Sequence, residues 1–147
     1  MPTAPDYLAA NTQSLLNLRA MLSRLSEADL RHDLGEGWTI AAMLGHLASY
    51  DYRAVELVNR WRRDGAVTAS PLDSEMLNLA LLPIWLSIPP IRAAALALEA
   101  AEAADACVAG LDAALLAGLA AAGTPLKLNR AEHRQEHIDQ FEKALAA

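Results

Sequence analysis

The sequence predicts an all-α chain, a four-helix bundle with one short extra helix between the second and third long helices. Three observations predict it. Hydrophobic residues make up 54% of the chain, but much of that is alanine, the best helix former and a thin core residue. Aromatic residues are only 5% and β-branched residues are sparse, which favours closely packed helices over a sheet. Glycine and proline cut the chain into blocks, and within them apolar residues recur every three or four positions. At 147 residues the chain suits one domain spanning 1–147, long enough to bury a core.

The first block runs from about Asp6 to Leu25, with Leu15, Leu16, Leu18, Met21, Leu22 and Leu25 as its stripe. Ser26-Glu27-Ala28-Asp29 reads as a capped turn, and Gly35-Glu36-Gly37 breaks the chain. The second block starts near Trp38-Thr39, with Thr39 as N-cap, and ends at Arg62-Arg63-Asp64-Gly65, basic residues followed by glycine. Met43, Leu47, Tyr50, Ala54, Leu57, Val58 and Trp61 form its apolar face. After a loop from Ala66 to Pro71, a short helix begins near Leu72–Glu75 and is interrupted or ended by Pro83. Pro89-Pro90 opens a third long block, about Ile91 to Leu119, with Gly110 as its weak point. Gly123-Thr124-Pro125 turns the chain into a last block, about Leu128 to Leu145. Strand signals are absent: no alternating β-branched run and no hairpin dipeptide between such runs.

Composition also bounds function. The net charge of -6 and the lack of a basic run argue against nucleic-acid binding. The stretches from Met76 to Ile91 and from Ala113 to Leu126 fall short of the ~18–20 unbroken apolar residues of a membrane span. The N-terminus has no basic segment followed by an apolar run, so no signal peptide is expected. Cys107 stands alone, which rules out an intramolecular disulfide or a multi-thiolate metal site and fits a reducing cytoplasm. It reads as a small buried residue.

Chemistry concentrates in the histidines. His133 and His137 are four residues apart in helix, so their imidazoles rise from one face, one turn apart. With Ile138, Phe141 and Leu145 as the core stripe, His137 lies roughly 40° and His133 roughly 80° from Phe141, at the edge of the buried face. His46, on the second block, neighbours the apolar face of Leu47 and Tyr50. Three histidines on two helices are enough for a metal site that keeps positions open. On spacing alone such a pair is more often surface decoration, and His46 alone more often a satisfied helix histidine. His32 reads as surface.

Trp38-Thr39-Ile40-Ala41-Ala42-Met43-Leu44-Gly45-His46-Leu47-Ala48 and His133-Arg134-Gln135-Glu136-His137-Ile138-Asp139-Gln140 resemble the two signature stretches of the DinB/YfiT-like superfamily of small bacterial proteins. Order, spacing and helix layout resemble that family over nearly the whole chain, although only these two stretches are specific. The resemblance implies an up-down-down-up four-helix bundle with a three-histidine metal site, here His46, His133 and His137. It implies a divalent ion (Zn, Ni, Fe or Mn), activity as a transferase of mycothiol- or bacillithiol-class thiols or as a small-molecule hydrolase, and a homodimer. The other class is a non-catalytic metal- or ligand-binding helical bundle; metal content and a thiol-transfer screen separate the two.

A metal-dependent reaction on a small molecule would want a base nearby. Asp51, Tyr50, Glu132 and Glu136 are the nearby candidates; solvated carboxylates and, for Tyr50, a core aromatic are the plainer readings. Asn78 falls where relatives often carry an asparagine, yet reads more simply as helix-surface polar. Trp38 reads as packing at a helix start that could also shape a pocket. Trp85 fits a pocket wall, a subunit contact or a core position. The apolar Leu81–Ile88 run and the alanine-rich third block are the surfaces expected to meet a second copy.

Overall fold

The computed structural model describes residues 6–147, so residues 1–5, where no signal peptide is expected, lie outside the described residues. The described chain is mostly helical. α1 (Asp6–Arg24) and the one-turn α2 (Glu27–Leu30) lead into a hairpin of β1 (Asp33–Gly35) and β2 (Trp38–Thr39). α3 (Ile40–Asp64), α4 (Ser74–Ser87), α5 (Pro90–Ala109), α6 (Ala113–Ala121) and α7 (Ala131–Ala146) follow.

Local chemistry sets most boundaries. Ser26 and Asp29 form a reciprocal capping box on α2. The Thr39 hydroxyl accepts from the Ala42 amide and starts α3, and Gly65, at φ 68°, ends it in the left-handed conformation. α7 has no cap from the side chain of Arg130. Asn129 Oδ1 instead accepts from the amides of Ala131 and Glu132, at 2.9 and 3.1 Å, and Asn11 of α1 accepts from Arg130 and Ala131, at 2.7 and 3.0 Å. The first turn of α7 is thus tied to α1.

Three expectations need correction. The expected absence of strands fails at Asp33–Thr39, where Glu36 and Gly37, at φ 54° and 86°, make a left-handed turn that pairs Gly35 with Trp38. So short a hairpin has no alternating run to announce it. The third long block is two helices, because Gly110 caps α5 and Asp112 starts α6 by accepting from the Leu115 amide at 2.8 Å. Their axes bend by 96°. α4 does not stop at Pro83 but runs through it to Ser87. Pro83 and Leu79, whose carbonyl loses its partner, both lie on the exposed side, where water can replace the missing bond. Among the described residues no single helix is both long and apolar enough to cross a membrane; α5 and α6 combine that length and apolarity only together, across their bend.

α3 packs most extensively on α5, and α1 on α7 and α5, with α4 lying against α3. On α5 the buried side chains facing this packing include Ala93, Ala97, Ala100, Ala101 and Ala104, each at most 1% exposed. The alanine stripe is therefore used inside the chain. Apolar side chains form two clusters along α3. One gathers Leu18, Met21, Leu44, Leu47, Ile138 and Phe141; the other gathers Leu57, Val58, Trp61, Leu111 and Leu119.

Asp51 sits on α3 between the residues of these two clusters. Arg130 donates to Asp51 Oδ1 from Nε (3.1 Å) and Nη2 (3.0 Å), and Arg134 Nη2 lies 3.5 Å from Oδ2. Arg134 also forks onto Asp105 of α5, at 3.0 and 3.1 Å, and donates to Ser14 of α1 at 2.9 Å. One guanidinium, 1% exposed, thereby joins four helices. Removing a partner from such a buried pair leaves a charge uncompensated. Asp51→Ala is expected to lower the unfolding free energy by about 3–5 kcal/mol in a denaturant titration. A loss under about 1 kcal/mol, the level of an exposed ion pair, would contradict this role.

Candidate metal centre

His46 lies two turns into α3, 6% exposed, with Gly45 before it. Gly45 is there for the indole of Trp85: a Cβ at this position would stand 3.0 Å from Trp85 Cδ1 and 3.2 Å from Cγ. Trp85, 2% exposed, is fixed by donating from Nε1 to Ser49 Oγ at 2.9 Å. Its ring meets His46 edge-on at 5.4 Å, and Trp38 does the same from another side at 5.9 Å. Tyr50, one turn on, has its ring centre 4.7 Å from that of His46. The imidazole is walled by aromatic rings and held in one orientation.

α7 brings the histidine pair to it. His133 Nε2 lies 3.0 Å from His46 Nε2 and 3.1 Å from His137 Nε2. The outer nitrogens of two rings face amide oxygens. His46 Nδ1 donates to Asn78 Oδ1 at 3.2 Å, and His137 Nδ1 donates to Gln140 Oε1 at 2.8 Å. With their protons on Nδ1, neutral His46 and His137 both present a lone pair from Nε2. His133 Nε2 has at most one proton to offer its two neighbours, so the three rings cannot satisfy one another. Three donor nitrogens at 2.0–2.1 Å from one tetrahedral ion would stand about 3.3 Å apart, close to the spacing found. The donor set fits a divalent ion, and a carbonyl on the far ring nitrogen is the usual orienting partner of a metal-binding histidine. Three nearby histidines here could hold a metal ion.

Burial and charge disfavour a proton on His46 and His133. Burial, then the charge of His137, pushes His46 down to about 4, against the Asn78 hydrogen bond. Burial pushes His133 down to about 3, with His137, His46, Arg130 and Lys127 adding to it in that order. Both values lie below the ordinary histidine value of 6.5.

The cluster forms the floor of a cavity of about 410 Å³ whose walls include Trp38, Met43, Tyr50, Ser74, Asn78 and Glu136. The candidates read from sequence divide clearly. Glu136 lines the cavity, whereas Glu132 is exposed and lies 3.7 Å from Lys127. Asp51 is neither a solvated carboxylate nor a neighbour of the histidines; it belongs to the arginine network. Asn78 is more than a surface polar group, because its one oxygen accepts from both His46 and the Tyr50 hydroxyl, the latter at 2.8 Å. Burial raises the Tyr50 phenol, with Arg53 opposing. Trp38 both packs on Trp85 and lines the cavity. His32 is exposed in the hairpin connection. Cys107 is half-buried with the second apolar cluster, its thiol raised by burial. Gln140, Ser74 and the arginines were not foreseen. Only Gln140, three residues beyond His137 on the same face, carried a signal in its spacing.

No family model, curated protein or solved structure matches the chain. Fold and geometry define it as a mostly helical protein with a three-histidine cluster able to hold a metal ion.

Between the ordinary histidine value of 6.5 and about 4, the unfolded chain binds protons that folded His46 refuses, and His133 extends that window to about 3. Stability of the metal-free protein therefore rises with pH through this range. Its thermal midpoint is expected to fall on acidification from pH 6.5 toward pH 4, and to fall less in His133→Gln. Equal slopes in both proteins would contradict the assignment.

Proposed function

We propose that this chain is a metal-dependent enzyme of the DinB/YfiT-like type. It would be a thiol transferase for mycothiol- or bacillithiol-class cosubstrates, or a hydrolase of a small electrophile. In this reading α1, α3, α5 and α7 are the four helices of an up-down-down-up bundle, and α4 is the extra one. The observation that carries the proposal is the convergence of three Nε2 atoms, 3.0 and 3.1 Å apart, with two of the rings oriented from behind by amide oxygens. The two signature-like stretches around His46 and His133–His137 add to it.

His46, His133 and His137 would bind a divalent ion such as Zn, Ni, Fe or Mn. When bound, the ion supplies Lewis acidity, favouring the ionised form of a thiol or water. Asn78 and Gln140 hold the rings in the binding tautomer. Trp38, Met43 and Tyr50 exclude water from one side of the cavity. Glu136, which lines the cavity, would take the proton from an incoming thiol or water and return it to solvent.

Metal titration of wild type and variants tests the site. Wild type should bind a divalent ion at micromolar concentration or tighter. His133→Ala and His137→Ala should each lose at least about 100-fold, and Asn78→Ala about 10–100-fold. His32→Ala should bind as wild type does. No binding by wild type, or an equal loss in His32→Ala, would sink the assignment. A screen for thiol transfer then separates the enzyme from an inert binding protein, with Glu136→Gln expected to lower turnover by about 10²-fold or more.

The proposal includes a homodimer. Met76, Leu79, Ile84 and Leu86 expose 46–64% of their surface on one side of α4, an apolar face that a second copy would cover. Sedimentation at high micromolar concentration should show a dimer, and a Leu79→Lys variant a monomer. A wild-type monomer at that concentration would refute it.

A further inference from the structure

The histidine cavity continues into a second one of about 510 Å³, with Tyr50, Ser74, His133 and Glu136 lining both. This arm runs to the Pro125–Lys127 loop, and Arg53 stands on its wall. His46, Tyr50 and Arg53 follow one another at i, i+4 and i+7 on α3, so they share a face. Arg53 lies about 10 Å along the axis from His46. The arm carries three cations. Arg130 is bound to Asp51, and the exposed Lys127 lies 3.7 Å from Glu132. Arg53 is half-buried and, among the described residues, pairs with no carboxylate. One donated bond, from Nη2 to the Ser70 carbonyl at 2.6 Å, holds its guanidinium.

A positioned, partly desolvated guanidinium without a counter-ion is an incomplete site, and its fork matches a carboxylate in two parallel bonds. Glu136 lines both cavities and Glu132 lies 3.7 Å from Lys127, so among the cations of the arm Arg53 is the one left to meet an anion.

We propose that Arg53 is the anion-binding residue of this groove, and that the groove takes a small molecule whose carboxylate lies about 8–10 Å from the end that reaches the three histidines. For the histidine end this rests on the metal reading above; the carboxylate end does not need it.

The test uses the cobalt(II)-loaded protein and two probes of equal length, mercaptohexanoate and the uncharged mercaptohexanol. Thiolate binding is read from the sulfur-to-cobalt absorption. Mercaptohexanoate should bind about tenfold tighter or more. Arg53→Gln, which keeps a donor for Ser70, should abolish that preference while leaving mercaptohexanol affinity, cobalt affinity and the melting temperature unchanged. Arg53→Lys should retain part of it, and Lys127→Gln all of it. Equal binding of the two probes, a preference that survives Arg53→Gln, or one that disappears with Lys127→Gln would overturn the proposal. If wild type takes up no cobalt, the metal reading fails by itself. Hexanoate and hexanol are then titrated into the metal-free protein, followed by amide shifts at Tyr50, Arg53 and Ser74, and the same preferences decide.

Discussion

The burial of Arg134 constrains everything around it. A guanidinium at 1% exposure is tolerable only if its charge and donors are met, and it is met by Asp51 of α3, Asp105 of α5 and Ser14 of α1. Those partners lie in fixed directions, so they fix the rotation of α7 about its axis. His133 precedes Arg134 by one residue, about 100° around the helix. With Arg134 pointing into the interior, His133 and His137 can only face His46. Arg134 Nε, which finds no partner among the described residues, marks how far the network is from complete satisfaction. The same rotation puts Ile138 and Phe141 into the first apolar cluster, so charge and packing agree on one register.

Much of this was legible in the residues, for a local reason. Caps such as Ser26, Thr39 and Gly65 act within one turn of where they stand, and the i, i+4 histidines share a face because helical geometry demands it. The helical class followed from alanine content and periodicity. What was not legible depended on distant partners. Asp51 looks like any carboxylate on an amphipathic helix; only the arrival of Arg130 and Arg134, some eighty residues later, makes it a buried ion. Asn78 became part of the histidine cluster because α4 folds back on α3. Pro83 reads as an interruption or an end because sequence does not say which face of a helix meets water. The break after Gly110 was seen as a weak point, but Asp112, the cap that turns weakness into a bend of 96°, was overlooked.

The histidine cluster and the arginine layer manage charge in opposite ways. Around Arg134 opposite charges are brought together and held in the interior. At the cluster, like groups are crowded so that adding a proton to His46 or His133 is penalised by burial and by neighbouring rings. A divalent ion is the one cation that all three rings can meet at once, since it accepts lone pairs where a proton could serve only one contact. Aromatic walls from Trp38, Tyr50 and Trp85 keep water from filling that role freely on one side.

The alanine stripe on α5 carries a consequence for how this chain can change. Ala93, Ala97, Ala100, Ala101 and Ala104 are sealed at 0–1% exposure, so each has no room for another methylene. Enlarging any of them would push α5 away from its neighbours at about 1–3 kcal/mol a step. Asp105, on that same helix, would move with it. Mutational freedom in α5 is thus confined to its outer side, and the inner side is a ratchet in which drift toward larger residues is felt, through the ion layer, at the histidines of another helix.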